Sequence, residues 1–204
     1  MFFFCRYGIN IKCLSDVYSS YTYRSEVHCG EPAVITEDGY YCDSILGITL
    51  RLLEKYGWNK LKAVNLTTDN LYTSLDLMEE LEKHNMTLIG TMRKNKRGIH
   101  PVMTEIVGRD INSTVVWWEA EQGRASITSY VVFSKSAGKK AVLVLTNYPD
   151  LADLGITKDD EKFKSGLLKV YDFTKVGTDK NGEFTNTIQA IINVTLSKDF
   201  SKKM

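Results

Sequence analysis

Apolar and polar residues alternate along residues 7–16 (Tyr-Gly-Ile-Asn-Ile-Lys-Cys-Leu-Ser-Asp), which predicts a strand that ends on an acid. Residues 17–20 are small and polar enough for a turn, and the aromatic, β-branched run 21–27 completes a hairpin. Residues 31–41, broken by Pro32 and by Asp38-Gly39, read as a loop. Ile45, Ile48, Leu52 and Tyr56 then recur at helical spacing, with Asp43-Ser44 as the cap and Gly57 as the stop. That stripe is core and offers no cofactor site.

A strand–helix–strand pattern follows. Residues 61–66 are short and mostly apolar, Leu71, Leu75, Met78 and Leu81 keep a helical period, and residues 86–91 return to strand composition. Asp69 stands at the carboxyl edge of the first of these strands, where open α/β sheets bind ligands. Arg93, Lys94, Lys96 and Arg97 make a basic turn after the second. Three β-rich runs (114–120, 125–133 and 140–146), with turns at Gly123 and Gly138, predict an antiparallel meander. Trp117 and Trp118 alternate across their strand, so one is expected in the core and the other packed locally or stacked on a base. Residues 149–164 are charged and loop-like, Asn181-Gly182 signals a turn, residues 184–196 are β-branched, and 197–204 are expected to fray.

The chain has 204 residues, 43% hydrophobic and 25% charged, which suits one sizeable core or one domain with an insertion. The formal net charge is only +1, so any nucleic-acid contact must use a local patch. The apolar start 1–5 is ended by Arg6 before it could form a signal-peptide core, and no run reaches membrane-spanning length. Cys5, Cys13, Cys29 and Cys42 lack zinc-site spacing and are too few for a disulfide scaffold, so reduced thiols of an intracellular protein are expected. His28, His84 and His100 are scattered, with no partner for a nucleophilic triad.

Two blocks carry a resemblance. Asp69-Asn70-Leu71-Tyr72-Thr73-Ser74, followed after one helix by Gly90-Thr91-Met92-Arg93-Lys94-Asn95, resembles the piggyBac transposase family in both motifs and in their separation. Tyr7-Gly8-Ile9-Asn10-Ile11 with Asp16 is similar to that family's first block, although Asn10 stands where Lys is usual. The run from Leu167 to Asp179 resembles its third block, with Val176 in place of a glycine and Gly182 where a further Asp is usual. The resemblance covers about residues 6 to 179 and lacks the family's flanking regions, as a fragment or degenerate derivative would.

The resemblance implies an RNase H-like α/β fold: a mixed sheet with flanking helices and a β-rich antiparallel insertion. Residues 6–96 would form the first part of the core, 97–150 the insertion, 151–182 the return to the core, and 183–204 a divergent tail. It also implies a DDD-type cut-and-paste DNA transposase, nuclear, acting by metal-dependent phosphoryl transfer. Asp16, Asp69 and Asp179 would hold Mg²⁺, because hard cations need carboxylate oxygens drawn from separate elements. Arg93, Lys94, Lys96 and Arg97 would meet DNA phosphates. DNA is the implied partner and a homodimer is admitted; no membrane and no small-molecule cofactor is implied.

Each acid also has a plainer reading: Asp16 as a solvated turn residue, Asp69 as a helix cap, Asp179 as the start of a β-turn, with Asp172 simply solvated. The basic turn could equally be a solvated loop or a nuclear-import patch. Alternatives to a working enzyme are a non-catalytic, transposon-derived module that binds DNA or protein, and a decayed reading frame whose end folds poorly.

Overall fold

The computed structural model describes residues 10–28, 44–57, 60–61, 64–96, 98–119, 125–148, 166–184 and 191–197; of 176–184 and 191–197 it describes the backbone course alone. Eight strands form one sheet: β1 (Asn10–Asp16), β2 (Thr22–His28), β3 (Asn65–Thr68), β4 (Thr87–Met92), β5 (Thr114–Trp118), β6 (Ser126–Ser134), β7 (Gly138–Thr146) and β8 (Ile191–Ser197). Their order is β2-β1-β8-β3-β4-β7-β6-β5. Three helices pack on it, α1 (Ile45–Tyr56), α2 (Leu75–Lys83) and α3 (Gly166–Phe184).

The sheet is covered on both faces, so its inner strands bury consecutive residues. Leu88 and Ile89 of β4 are both fully buried, as are Leu143, Val144 and Leu145 of β7. Strand pleating sends neighbours to opposite faces. Leu66, Leu88, Leu143 and Leu145 accordingly meet Leu52, Leu77 and Leu81 of α1 and α2, whereas Ile89 and Val144 meet Leu167, Val170 and Tyr171 of α3. The predicted caps are realised. Ser44 accepts from the Gly47 N–H (2.9 Å), and Gly57, at φ 103°, donates to the Leu53 carbonyl (3.0 Å) where a side chain would be strained.

The structure refines three expectations. The helix after Asp69 begins at Leu75, capped by Ser74, because residues 70–73 form a tight turn of their own. The expected antiparallel β-rich strands continue the core sheet: β7 pairs antiparallel with β4, and β6 and β5 extend the same sheet. Residues 183–204, read as a divergent tail, contribute β8 to the middle of the sheet, and α3 runs through Asn181-Gly182 to Phe184. A turn signal near a helix end is a weak obstacle, since glycine costs only about 1 kcal/mol there. The loops 31–41 and 149–164 and the tail beyond Ser197 lie outside the described residues.

Candidate active site around Asp69

The motif of the central block is a mechanical device. Thr73 donates its hydroxyl to the Asp69 carbonyl (2.7 Å) and lies 2.7 Å from the Thr68 hydroxyl, both threonines being fully buried. This hydroxyl pair occupies the space where a β-carbon on Gly90 would sit, 2.1 Å from Thr73 Oγ1 and 2.5 Å from Thr68 Oγ1. Glycine at 90 therefore permits the threonine at 73, and the threonine fixes the turn that follows Asp69. Asp69 Oδ1 accepts the Leu71 N–H (2.9 Å), an Asx-type turn, rather than capping α2. Arg93 Nε reaches Asn70 Oδ1 (3.2 Å), and Lys96 donates to the Thr73 carbonyl and, at 3.4 Å, to that of Leu71.

Cations and phenols surround this acid. Lys12, only 5% exposed, holds its amine 5.7 Å from the Tyr72 ring centre; burial lowers its pKa and the charge of Asp69 opposes that shift. Burial and Arg93 lower the Lys96 pKa, while Asp69 and Asp76 raise it. Burial, then Asp69, pushes the Tyr72 phenol well above its ordinary range, and its hydroxyl is buried without a hydrogen-bond partner among the described residues. Tyr171 of α3 bonds Thr91 at the end of β4 (3.1 Å); burial raises its pKa, against the Thr91 bond. Lys12 had no motif to announce it, and Tyr72 and Tyr171 stand in the quoted blocks without having been given a role. Simple alternation turns Lys12 outward; it is inside because β1 is an inner strand covered on both faces.

Asp16 sits in a different setting. Its Oδ2 accepts the Tyr18 N–H (3.0 Å), the Ser19 N–H (2.7 Å) and the Ser19 hydroxyl (2.7 Å), and its Oδ1 the Tyr23 hydroxyl (3.2 Å). Burial would raise its pKa, but these bonds outweigh burial and hold it below the usual value. The Tyr23 phenol is pushed up to about 12, by burial first and then by Asp16.

The sheet keeps the two acids apart. β8 runs parallel to β1 but antiparallel to β3, so β1 and β3 point in opposite directions. Asp16 is level with Leu196 and hence with Leu66, whereas Asp69, one step past the Thr68–Val194 pair, is level with Asn193 and Cys13. Two strand spacings and three residues of rise put them about 14 Å apart. Measured between backbones, Asp16 and Asp69 are therefore not neighbours on adjacent strands. Asp179 lies on α3, eight residues or about 12 Å of helix beyond Tyr171. No group of three or more His, Cys, Asp or Glu among the described residues could hold a metal ion.

The other expected residues are placed as follows. Arg93 and Lys94 are exposed at the turn, Lys96 points inward to carbonyls, and Arg97 lies outside the described residues. Asp172 pairs with Lys175 (3.1 Å) rather than being merely solvated. Cys13 is a buried free thiol whose pKa burial raises; Cys5, Cys29 and Cys42 lie outside. Neither tryptophan is core: Trp117 is 42% and Trp118 38% exposed, and Trp117 packs on His100 with ring centres 4.3 Å apart. No helix among the described residues is long and apolar enough to cross a membrane.

A mixed sheet flanked by helices, with β-rich strands continuing one edge, defines an α/β protein of RNase H-like fold. Its fold matches the cryo-EM structure of a piggyBac transposase synaptic complex with hairpin DNA at a TM-score of 0.63 and 22% identity. The match covers 89% of this chain and 34% of that one, so the chain spans about a third of the transposase it resembles. Residues 3–195 match the family described as Transposase IS4, and the chain belongs to that family. No curated protein matches.

Proposed function

We propose that the chain derives from the catalytic region of a piggyBac-type cut-and-paste transposase, and that it contacts DNA at the Asp69 end without closing a three-carboxylate metal cage. Nuclear residence and magnesium as the ancestral metal belong to the same reading. What carries it is the antiparallel relation of β1 and β3, which keeps Asp16 about 14 Å from Asp69 by strand spacing and rise. The turn hydrogen bonds already occupying both Asp16 oxygens add to it.

Phosphoryl transfer rests almost wholly on positioning and charge stabilisation, and displacements of about 1 Å can cost about a hundredfold in rate. The separation of the two acids along the sheet is what supports reading the reaction as lost. Retained phosphate contact is a lesser demand: exposed Arg93, held by Asn70, and exposed Lys94 supply charge for salt-dependent, sequence-blind binding.

A plasmid-nicking assay with Mg²⁺ or Mn²⁺ tests the catalytic half. The expected result is no metal-dependent nicking beyond that of Asp69→Asn, alongside duplex binding that weakens steeply with salt. Metal-dependent nicking abolished equally by Asp16→Asn and by Asp69→Asn would overturn the reading. Absence of duplex binding at low salt would remove its DNA half and leave a protein-binding role.

A further inference from the structure

Away from both acids, a cavity of about 580 Å³ lies between α2, the connection from Gly98 to Met103, and strands β5–β7. Asp16, Asp69, Arg93, Lys94 and Lys96 do not line it. Its described wall carries Glu79, Glu82 and Glu119, with Trp117 and Trp118, and neither lysine nor arginine. Ser126, 2% exposed, also lines it, and its hydroxyl has no hydrogen-bond partner among the described residues. A buried hydroxyl left unpaired is costly, so a polar ligand atom there is favoured.

The cavity adjoins a sheet edge. β5 is last in the strand order and, among the described residues, pairs with β6 alone. Such edges are ordinarily blunted by lysine, proline or a bulge. Thr114–Trp118 contains neither residue, its register with β6 is unbroken, and Val116, Trp117 and Trp118 are all more than a third exposed.

We propose that this edge and cavity form a docking site for an extended, arginine-bearing segment of a partner protein. The partner's backbone adds to β5 as a further strand, and its guanidinium enters the cavity. Strand addition supplies main-chain hydrogen bonds, while the pocket reads a side chain. Charge complementarity selects the occupant. A planar guanidinium stacks on indole and offers several N–H donors, which suit the carboxylates of Glu79 and Glu119 and the Ser126 hydroxyl. Glu82 is partly engaged already, accepting from Asn147 (3.0 Å), and contributes charge. A nucleic-acid strand is disfavoured, because its phosphates would face three carboxylates.

The test uses the full chain and a short fluorescein-labelled peptide of alternating valine and arginine with blocked termini, followed by anisotropy. Saturable binding is expected, weakened about tenfold or more in Glu79→Gln/Glu82→Gln/Glu119→Gln, a loss of about 1.4 kcal/mol. N-methylation of the peptide along its pairing edge should abolish binding, and a valine–glutamate peptide should not bind. Circular dichroism checks that the variant is folded, and the single change Glu119→Lys, at an exposed strand end, gives a second reading of the same charge. Undiminished affinity in both variants overturns the proposal. So does displacement of the peptide by oligothymidylate, which would make the tryptophans a base-stacking platform. Self-association lost in the glutamine variant, without peptide binding, would make a second copy of the chain the occupant instead.

Discussion

Asp16 ends β1 and Asp69 follows β3, and each is followed by a short turn, yet the two strand ends treat them in opposite ways. The turn after β1 folds back over its acid, so that two N–H groups and two hydroxyls converge on Asp16. After β3 the turn is held from behind, by Thr73 against the Asp69 carbonyl and by Lys96 against the Leu71 and Thr73 carbonyls. Asp69 is left with one described backbone donor and a ring of cationic and phenolic neighbours. A carboxylate saturated by its own turn serves the fold; one whose turn is braced elsewhere keeps lone pairs for a ligand. The comparison teaches that the placement of the bracing bonds, more than the acid's position at a strand end, separates a structural aspartate from a site aspartate.

The largest expected effect removes the brace at the Asp69 end. Gly90→Ala drives a methyl to 2.1 Å from Thr73 Oγ1 and 2.9 Å from the Thr68 carbonyl, atoms with little room to yield. Overpacking of this kind costs about 1–3 kcal/mol, and the backbone contact argues for the top of that range. A urea midpoint should fall accordingly with unchanged slope. Gly90→Ala combined with Thr73→Ala should cost less than the sum of the two changes, since they share one collision. Additive costs would show that Thr73 and Gly90 do not act as a unit.

Next in size is the other end. Asp16→Asn keeps the shape but turns one acceptor oxygen into a donor facing donors, and a cost of about 1–2 kcal/mol is expected, because hydrogen bonds to charged groups carry more than neutral ones. The pH dependence has a definite sign. A carboxyl whose pKa is depressed in the folded state contributes stability fully present above its unfolded value of about 3.9, lost as pH falls through the folded value. Wild-type stability should therefore decline below about pH 4, and Asp16→Asn should flatten that limb while leaving the Asp69 end intact. A variant as acid-sensitive as wild type would place the stabilising carboxylate elsewhere.

The local half of this contrast was legible in the sequence. The run 17–20 read as a turn, and a turn residue was the plainer reading of Asp16 beside the metal ligand that the resemblance implied; Ser44, Gly57 and the α1 stripe were placed by spacing and propensity alone. The paired blocks around Asp69 and Gly90 announced the family, and the Thr73–Gly90 contact gives their spacing a steric meaning. What could not be read was the direction of β3 relative to β1. That relation depends on β8, more than 170 residues after β1 begins, and no local period encodes which distant strand inserts between two others. For the same reason Lys12, outward by alternation, is buried. Lys96 was counted among the phosphate contacts because charge and position were visible, whereas the carbonyls awaiting it were not.

The smallest expected effects divide that basic turn. Lys94 is exposed and Lys96 faces inward, so the two lysines, read alike from the sequence, should separate by assay. Lys96→Ala removes bonds to two carbonyls and should cost about 1 kcal/mol in stability. Its effect on DNA affinity should be indirect, appearing as a loosened turn around Asn70. Lys94→Ala should leave the urea midpoint within about 0.5 kcal/mol of wild type, as for a surface change. It should also reduce the slope of log affinity against log salt by about one, the signature of one lost phosphate contact. Measuring both quantities for both variants decides the matter. If Lys96→Ala lowers the salt slope without destabilising the chain, its amine leaves the carbonyls for phosphate, and the Asp69 end is looser than its hydrogen bonds imply.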